Sequence, residues 1–118
     1  MLNVFKFYTE PKELNRSDIA EHMHLVNTIK TLEYDNDAKS KLSPIINVIK
    51  RDPKCAFEYA RWINRGRWEE GEPTILKSSW YSYMYARYVI NGVWKEGEPS
   101  IKQDPNFWSM YQNYFNKV

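Results

Sequence analysis

Residues 59–75 read YARWINRGRWEEGEPTI, and residues 85–101 read YARYVINGVWKEGEPSI. Ten of these seventeen aligned positions are identical, among them Gly66 and Gly92, Trp68 and Trp94, and the run Glu70-Gly71-Glu72-Pro73 over Glu96-Gly97-Glu98-Pro99. Identity of that density at a fixed offset of 26 residues is an internal repeat, and periods in this range mark stacked arrays of small units. A third, truncated copy starts at Asp104-Pro105, which matches Asp52-Pro53, and runs through Phe107, Tyr111 and Tyr114 to the C-terminus.

The unit has a local physical reading. Asp52 is a good N-cap, and Pro53 sits at the first helical position, where its missing N–H costs nothing. Gly66 is placed to supply a left-handed C-cap, which predicts a helix over 53–65 and makes Gly66→Val a destabilising change. The same logic predicts helices over 79–91, between Ser78 and Gly92, and over 105–116, capped by Asp104. Between them, Trp-x-Glu-Gly-Glu-Pro-x-Ile reads as a turn into a short helix starting at Pro73 or Pro99, with Ile75 and Ile101 pointing inward. Trp68 and Trp94 are expected to wedge between a long helix and the next short one. Units of one long and one short helix cannot bury an apolar face alone, so a solenoid-like array is expected.

Toward the N-terminus, Ser17 or Asp18 caps a predicted helix through about Leu32, with Ile19, Met23, Val26, Ile29 and Leu32 at helical spacing. Ser43-Pro44 opens a short helix bearing Ile45, Ile46, Val48 and Ile49, which reads as a degenerate copy of the repeat's short helix. Residues 2–8 mix aromatic and β-branched side chains and read as an isolated extended segment. The predicted fold is therefore an all-α single domain over 1–118, with a capping segment at 1–42 and repeats over 43–118.

Composition narrows the function classes. Seventeen Lys and Arg against 15 Asp and Glu leave a net charge of +2, which excludes a histone-like polycation and an acidic DNA mimic. Fifteen of the nineteen aromatic residues fall after position 50, so the repeats form a distinct packing regime. Cys55 is the single cysteine, so neither an intramolecular disulfide nor a Cys-x-x-Cys redox pair exists, as suits a reducing cytosol. No basic n-region precedes an apolar run, and nothing approaches the roughly 18 apolar residues of a membrane span. A cytoplasmic protein without membrane partners is expected.

The phrase Tyr-Ala-Arg-x-Ile/Val-x-x-Gly-x-Trp-x-Glu-Gly-Glu-Pro-x-Ile resembles the short tandem repeats of many small proteins of tailed bacteriophages, with their YA-x-x-V-x-x-G-x-W-x-E-x-E-P unit. The resemblance covers about 43–118. It implies a phage origin, a helical-repeat fold and residence in the host-cell cytoplasm, but no reaction. Trp68 and Trp94 are followed by Glu69 and Lys95 where such repeats commonly carry proline, and the third copy ends before its glycine.

Residues that could carry chemistry are few. His22 and His24, at i and i+2, point to different faces of a helix, unlike an i, i+4 zinc pair. Cys55 occupies the place of Tyr81 and Phe107 on the inner stripe and reads as core. No phosphate loop, nucleophile elbow or His-Glu-x-x-His pattern is present. Glu70/Glu72 and Glu96/Glu98 recur with the repeat, which favours a structural role at the short helix's positive end, paired with Arg61 or Arg87. No catalytic residue, metal or cofactor is assigned, and the protein is read as non-enzymatic.

Taking about 100° per residue, positions 55, 56, 59, 60 and 63 and their equivalents form the inner stripe, flanked by the packing aromatics Trp62, Tyr88 and Tyr114. The opposite face carries Phe57 with Arg61 and Tyr83 with Arg87. Such an outward ridge of aromatics and arginines has the composition of a protein-binding hot spot. The expected function is binding and modulation of a bacterial host protein, in host takeover or anti-defence. Nucleic-acid binding through Arg61, Arg65, Arg67 and Arg87 is the alternative, opposed by interleaved acids and the small net charge.

Overall fold

The Asp52 carboxylate accepts from the Cys55 amide at 2.9 Å, the Ser78 hydroxyl from the Tyr81 amide at 3.1 Å, and the Asp104 carboxylate from the Phe107 amide at 3.3 Å. These side-chain caps satisfy amides left open at a helix start. The computed structural model describes residues 16–115, with side chains from residue 23 onward. In chain order α1 spans Arg16–Thr31, α2 Ala38–Leu42, α3 Ile46–Ile49, α4 Pro53–Tyr59, α5 Glu72–Ile75, α6 Ser79–Tyr85, α7 Glu98–Ile101 and α8 Pro105–Phe115. Among the described residues there is no strand, and the fold is all-α. The expected extended segment at 2–8, residue 116 and the side chains of Ser17, Asp18, Ile19 and His22 lie outside the description.

α4 and α6 widen at their ends into π-helical turns, Ala60–Asn64 and Ala86–Ile90. The three short helices α3, α5 and α7 are each entered through a 3-10 turn, over Ser43–Ile45, Glu69–Gly71 and Lys95–Gly97, at successive offsets of 26 residues. α1 packs on α4, α4 on α6 and α6 on α8, while α5 touches both α4 and α6 and α7 both α6 and α8. α1 docks through Leu25, Val26 and Ile29. Met23, expected on that stripe, is 58% exposed, because the docking face is turned toward Leu25.

The helix ends correct the sequence reading. Arg65 and Asn91 hold the left-handed conformation, at φ 58° and 60°, and none of the described glycines has positive φ. In each unit two successive amides, of Arg65 and Gly66 or of Asn91 and Gly92, reach back to one carbonyl, Ala60 or Ala86. The wider turn makes the chain reverse one residue early, so the glycine follows the reversal instead of forming it. The glycines whose missing Cβ matters are Gly71 and Gly97: a Cβ there would lie 2.4 Å from the Trp68 ring and 2.2 Å from the Trp94 ring.

Both tryptophans are buried as expected, Trp68 against Tyr59 and Trp94 against Tyr85, with ring centroids 4.4 and 4.9 Å apart. Each also anchors the next unit. The Trp68 amide donates to the Tyr85 hydroxyl at 2.7 Å, which donates to Glu72 Oε2 at 2.6 Å. Twenty-six residues on, the Trp94 amide donates to the Tyr111 hydroxyl at 3.0 Å, which donates to Glu98 Oε2 at 2.8 Å. A second recurring link joins successive short helices: the Thr74 hydroxyl donates to the Lys50 carbonyl, and the Ser100 hydroxyl to the Leu76 carbonyl at 2.7 Å. The recurring glutamates 72 and 98 are thus acceptors that hold a buried tyrosine.

Candidate functional site

A 26-residue repeat sets equivalent side chains next to one another on neighbouring helices, so the row that matters is Trp62, Tyr88 and Tyr114 with Arg61 and Arg87 threaded through it. The Arg61 guanidinium lies 4.4 Å from the Trp62 ring centroid and 4.5 Å from that of Tyr88. The Arg87 guanidinium lies 5.0 Å from Tyr88 and 4.5 Å from Tyr114. Rings and cations alternate from α4 across α6 to α8, each contact within the range of a favourable cation–π pair. Trp62 is fixed from below: its indole N–H donates to Glu58 Oε2 at 2.8 Å, and Lys30 of α1 stands 3.7 Å from the same oxygen.

Phe57 and Tyr83, expected beside these arginines on an outward ridge, are instead buried, at 1% and 2% exposure. Successive long helices lie side by side, so the face opposite the inner stripe is covered by neighbouring long helices. Phe57 meets Tyr81 of α6 with centroids 5.8 Å apart, and Tyr83 borders Met110, Asn113 and Tyr114 of α8. The loop carboxylates do not pair with Arg61 or Arg87 either. Glu72 takes Arg67 Nε at 2.7 Å, Glu96 takes Arg67 Nη2 at 3.5 Å, Glu70 takes Lys50 at 3.1 Å and Glu98 takes Lys95 at 3.7 Å.

The two arginines of the row differ in what they have left to give. Arg87 Nη1 donates to the Tyr83 hydroxyl at 3.1 Å, its side chain is hydrogen-bonded to Tyr114 as well, and its Nε is buried with no acceptor among the described residues. Arg61 is half-buried, and among the described residues no carboxylate or hydrogen-bond acceptor meets it. Two rings flank its guanidinium and no acceptor among the described residues takes its N–H groups, so those donors are left for a ligand.

Arg61 borders an open cleft of about 350 Å³ between the end of α1 and the π turns of α4 and α6. Glu33, Tyr34, Arg61, Arg65, Tyr88 and Asn91 contribute to its walls, and Tyr34 is 84% exposed. Arg65 donates to the Glu33 carbonyl at 2.5 Å and ties α1 to the reversal of the chain. The volume is that of a small binding site, and its lining residues include two arginines and one glutamate.

Elsewhere the chemistry is quiet. Cys55 is buried, and burial and the Asp52 carboxylate push its thiol far above the ordinary range, so it stays protonated. Among the described residues no three His, Cys, Asp or Glu side chains form a group that could hold a metal ion, and no helix is long and apolar enough to cross a membrane. Of the four residues singled out in the sequence, the surface row keeps Arg61 and Arg87 and loses Phe57 and Tyr83. It gains Trp62, Tyr88 and Tyr114, whose signal is the adjacent Arg–aromatic pair recurring as Arg61-Trp62 and Arg87-Tyr88. Comparison with known protein families, characterised proteins and solved structures finds no match.

Proposed function

We propose that the protein is a non-enzymatic interaction module of phage origin, a solenoid-like array that binds and modulates a bacterial host protein in the host cytoplasm, in takeover or anti-defence. The observation that supports this reading is the Arg–aromatic row ending at Arg61, whose charge no carboxylate of the described chain meets. Large, pre-positioned aromatic and guanidinium groups bind proteins with little loss of side-chain entropy. The repeat's resemblance to phage proteins supports the setting.

Nucleic acid is the less favoured partner. Every ring of the row already has a guanidinium on it, which competes with stacked bases. Arg87 is bonded to tyrosines, Arg67 to Glu72 and Glu96, and Arg65 to a carbonyl, so three of the four arginines of a phosphate track already use donors within the chain.

The test compares wild type with Arg61→Glu. Wild type is expected to capture a discrete bacterial protein, and Arg61→Glu to capture at least about tenfold less while staying folded, with stability lowered only by about the 1–2 kcal/mol of the two ring contacts it removes. Steeply salt-dependent binding of wild type to generic single strands, with a slope reduced by about one in Arg61→Glu, would replace this reading with the nucleic-acid one.

A further inference from the structure

We infer that Arg61 is a carboxylate anchor, and that the cleft it borders takes a single aspartate or glutamate side chain on an extended segment of the partner protein. This deepens the proposed docking role and rests on it.

Three observations lead to this chemistry. The first is geometric. Trp62 and Tyr88 hold the guanidinium carbon at 4.4 and 4.5 Å from their ring centroids, so two rings place the group before any ligand arrives. A planar fork of donors held this way matches the two oxygens of a carboxylate bidentately. The second is electrostatic. Arg61 and Arg65 against Glu33 leave the cleft with a single positive excess, enough for one carboxylate and too little for a run of phosphates. The third is the contrast along the row. Arg87 occupies the equivalent place one unit later but spends its donors on Tyr83 and Tyr114, so the face offers one anchoring point and not a ladder of them.

The surroundings suit a peptide more than a free small acid. The cleft is open, its lining includes the exposed Tyr34, and Asn91 also borders it. An extended backbone laid along it would have an amide to bond and a ring to cover. The Tyr34 ring then flanks the residue whose carboxylate reaches Arg61.

The experiment is a nuclear magnetic resonance titration of the full-length protein with an unstructured Gly/Ser peptide carrying one glutamate beside a leucine. The same peptide with glutamine and a thymidine oligonucleotide are run beside it. The Arg61 Nε–H and Trp62 indole N–H resonances are expected to shift saturably with the glutamate peptide, at least about tenfold more tightly than with the glutamine one. Arg61→Lys keeps the charge but loses the planar fork, and is expected to weaken binding about tenfold at unchanged melting temperature. Equal response to the glutamate and glutamine peptides, equal binding by Arg61→Lys, or tighter binding of the oligonucleotide would each overturn the anchor. If the glutamate peptide fails while capture of the bacterial protein still depends on Arg61, the anchor falls and the docking role stands. If capture is indifferent to Arg61, both fall.

Discussion

A single pair of positions shows how one side chain dictates another in this chain. Trp94 packs so closely over Gly97 that a Cβ at 97 would sit 2.2 Å from its ring, and Trp68 does the same over Gly71 at 2.4 Å. In the earliest copy the equivalent positions hold Leu42, buried, and Ile45, partly buried: where a smaller aliphatic side chain replaces the indole, a side chain takes the place of the glycine. Gly97→Ala is therefore expected to destabilise by about 1–3 kcal/mol, the cost of forcing an extra carbon into a packed core. Gly66→Ala, where a new Cβ meets nothing within 4 Å, is expected to change stability by less than about 0.5 kcal/mol. Urea unfolding of the two variants checks this, and equal losses would contradict it. Combining Gly97→Ala with Trp94→Leu should cost less than the sum of the two single changes, because replacing the indole by a smaller side chain removes the clash. The repeat made these glycines visible, but identity alone did not distinguish a glycine needed for close approach from one that trails a turn.

The long helix was legible at its beginning and misread at its end. Caps such as Asp52 and Ser78 are local chemistry, decided by a side chain and an amide three residues away, so the sequence carries them. The π turns over Ala60–Asn64 and Ala86–Ile90 are not local. They open at the fully buried Ala60 and Ala86, and nothing in residue order announces the extra residue they absorb. The reversal consequently falls on Arg65 and Asn91. Asparagine tolerates that conformation better than most residues, whereas a β-branched one does not. Asn91→Val is expected to cost about 1–2 kcal/mol, and Asn91→Gly to cost nothing or stabilise slightly, as read by thermal melting of the pair. The same long-range packing explains the misplaced ridge. A helical wheel separates two faces correctly but does not tell which neighbour covers the second, and α6 and α8 cover Phe57 and Tyr83.

Across the molecule, the links between units run through tyrosine hydroxyls that accept from a tryptophan amide and donate to a glutamate, and this gives the fold a distinctive weakness toward base. Burial first, and the hydrogen bond to Glu98 second, push the Tyr111 hydroxyl up to about 12, and burial and Glu72 push Tyr85 higher still. An unfolded tyrosine titrates near 10. The native state thus holds these protons more tightly than the unfolded one, and the associated stability is complete below about pH 10 and is lost as pH rises toward 12. The link breaks there for a plain reason: a tyrosinate no longer donates to the carboxylate beside it, and two negative oxygens are left in contact in a poorly solvated place. Tyr111→Phe separates this from general alkaline damage. At neutral pH it leaves the Trp94 amide and Glu98 without their shared partner and is expected to cost about 1–3 kcal/mol. Above pH 10 it has one fewer proton to lose, so its stability should fall less steeply than that of wild type. Urea unfolding at several values between about pH 8 and 12 gives both curves; parallel curves would mean that the tyrosine links do not set the alkaline limit, while converging ones place that limit in the junctions between units.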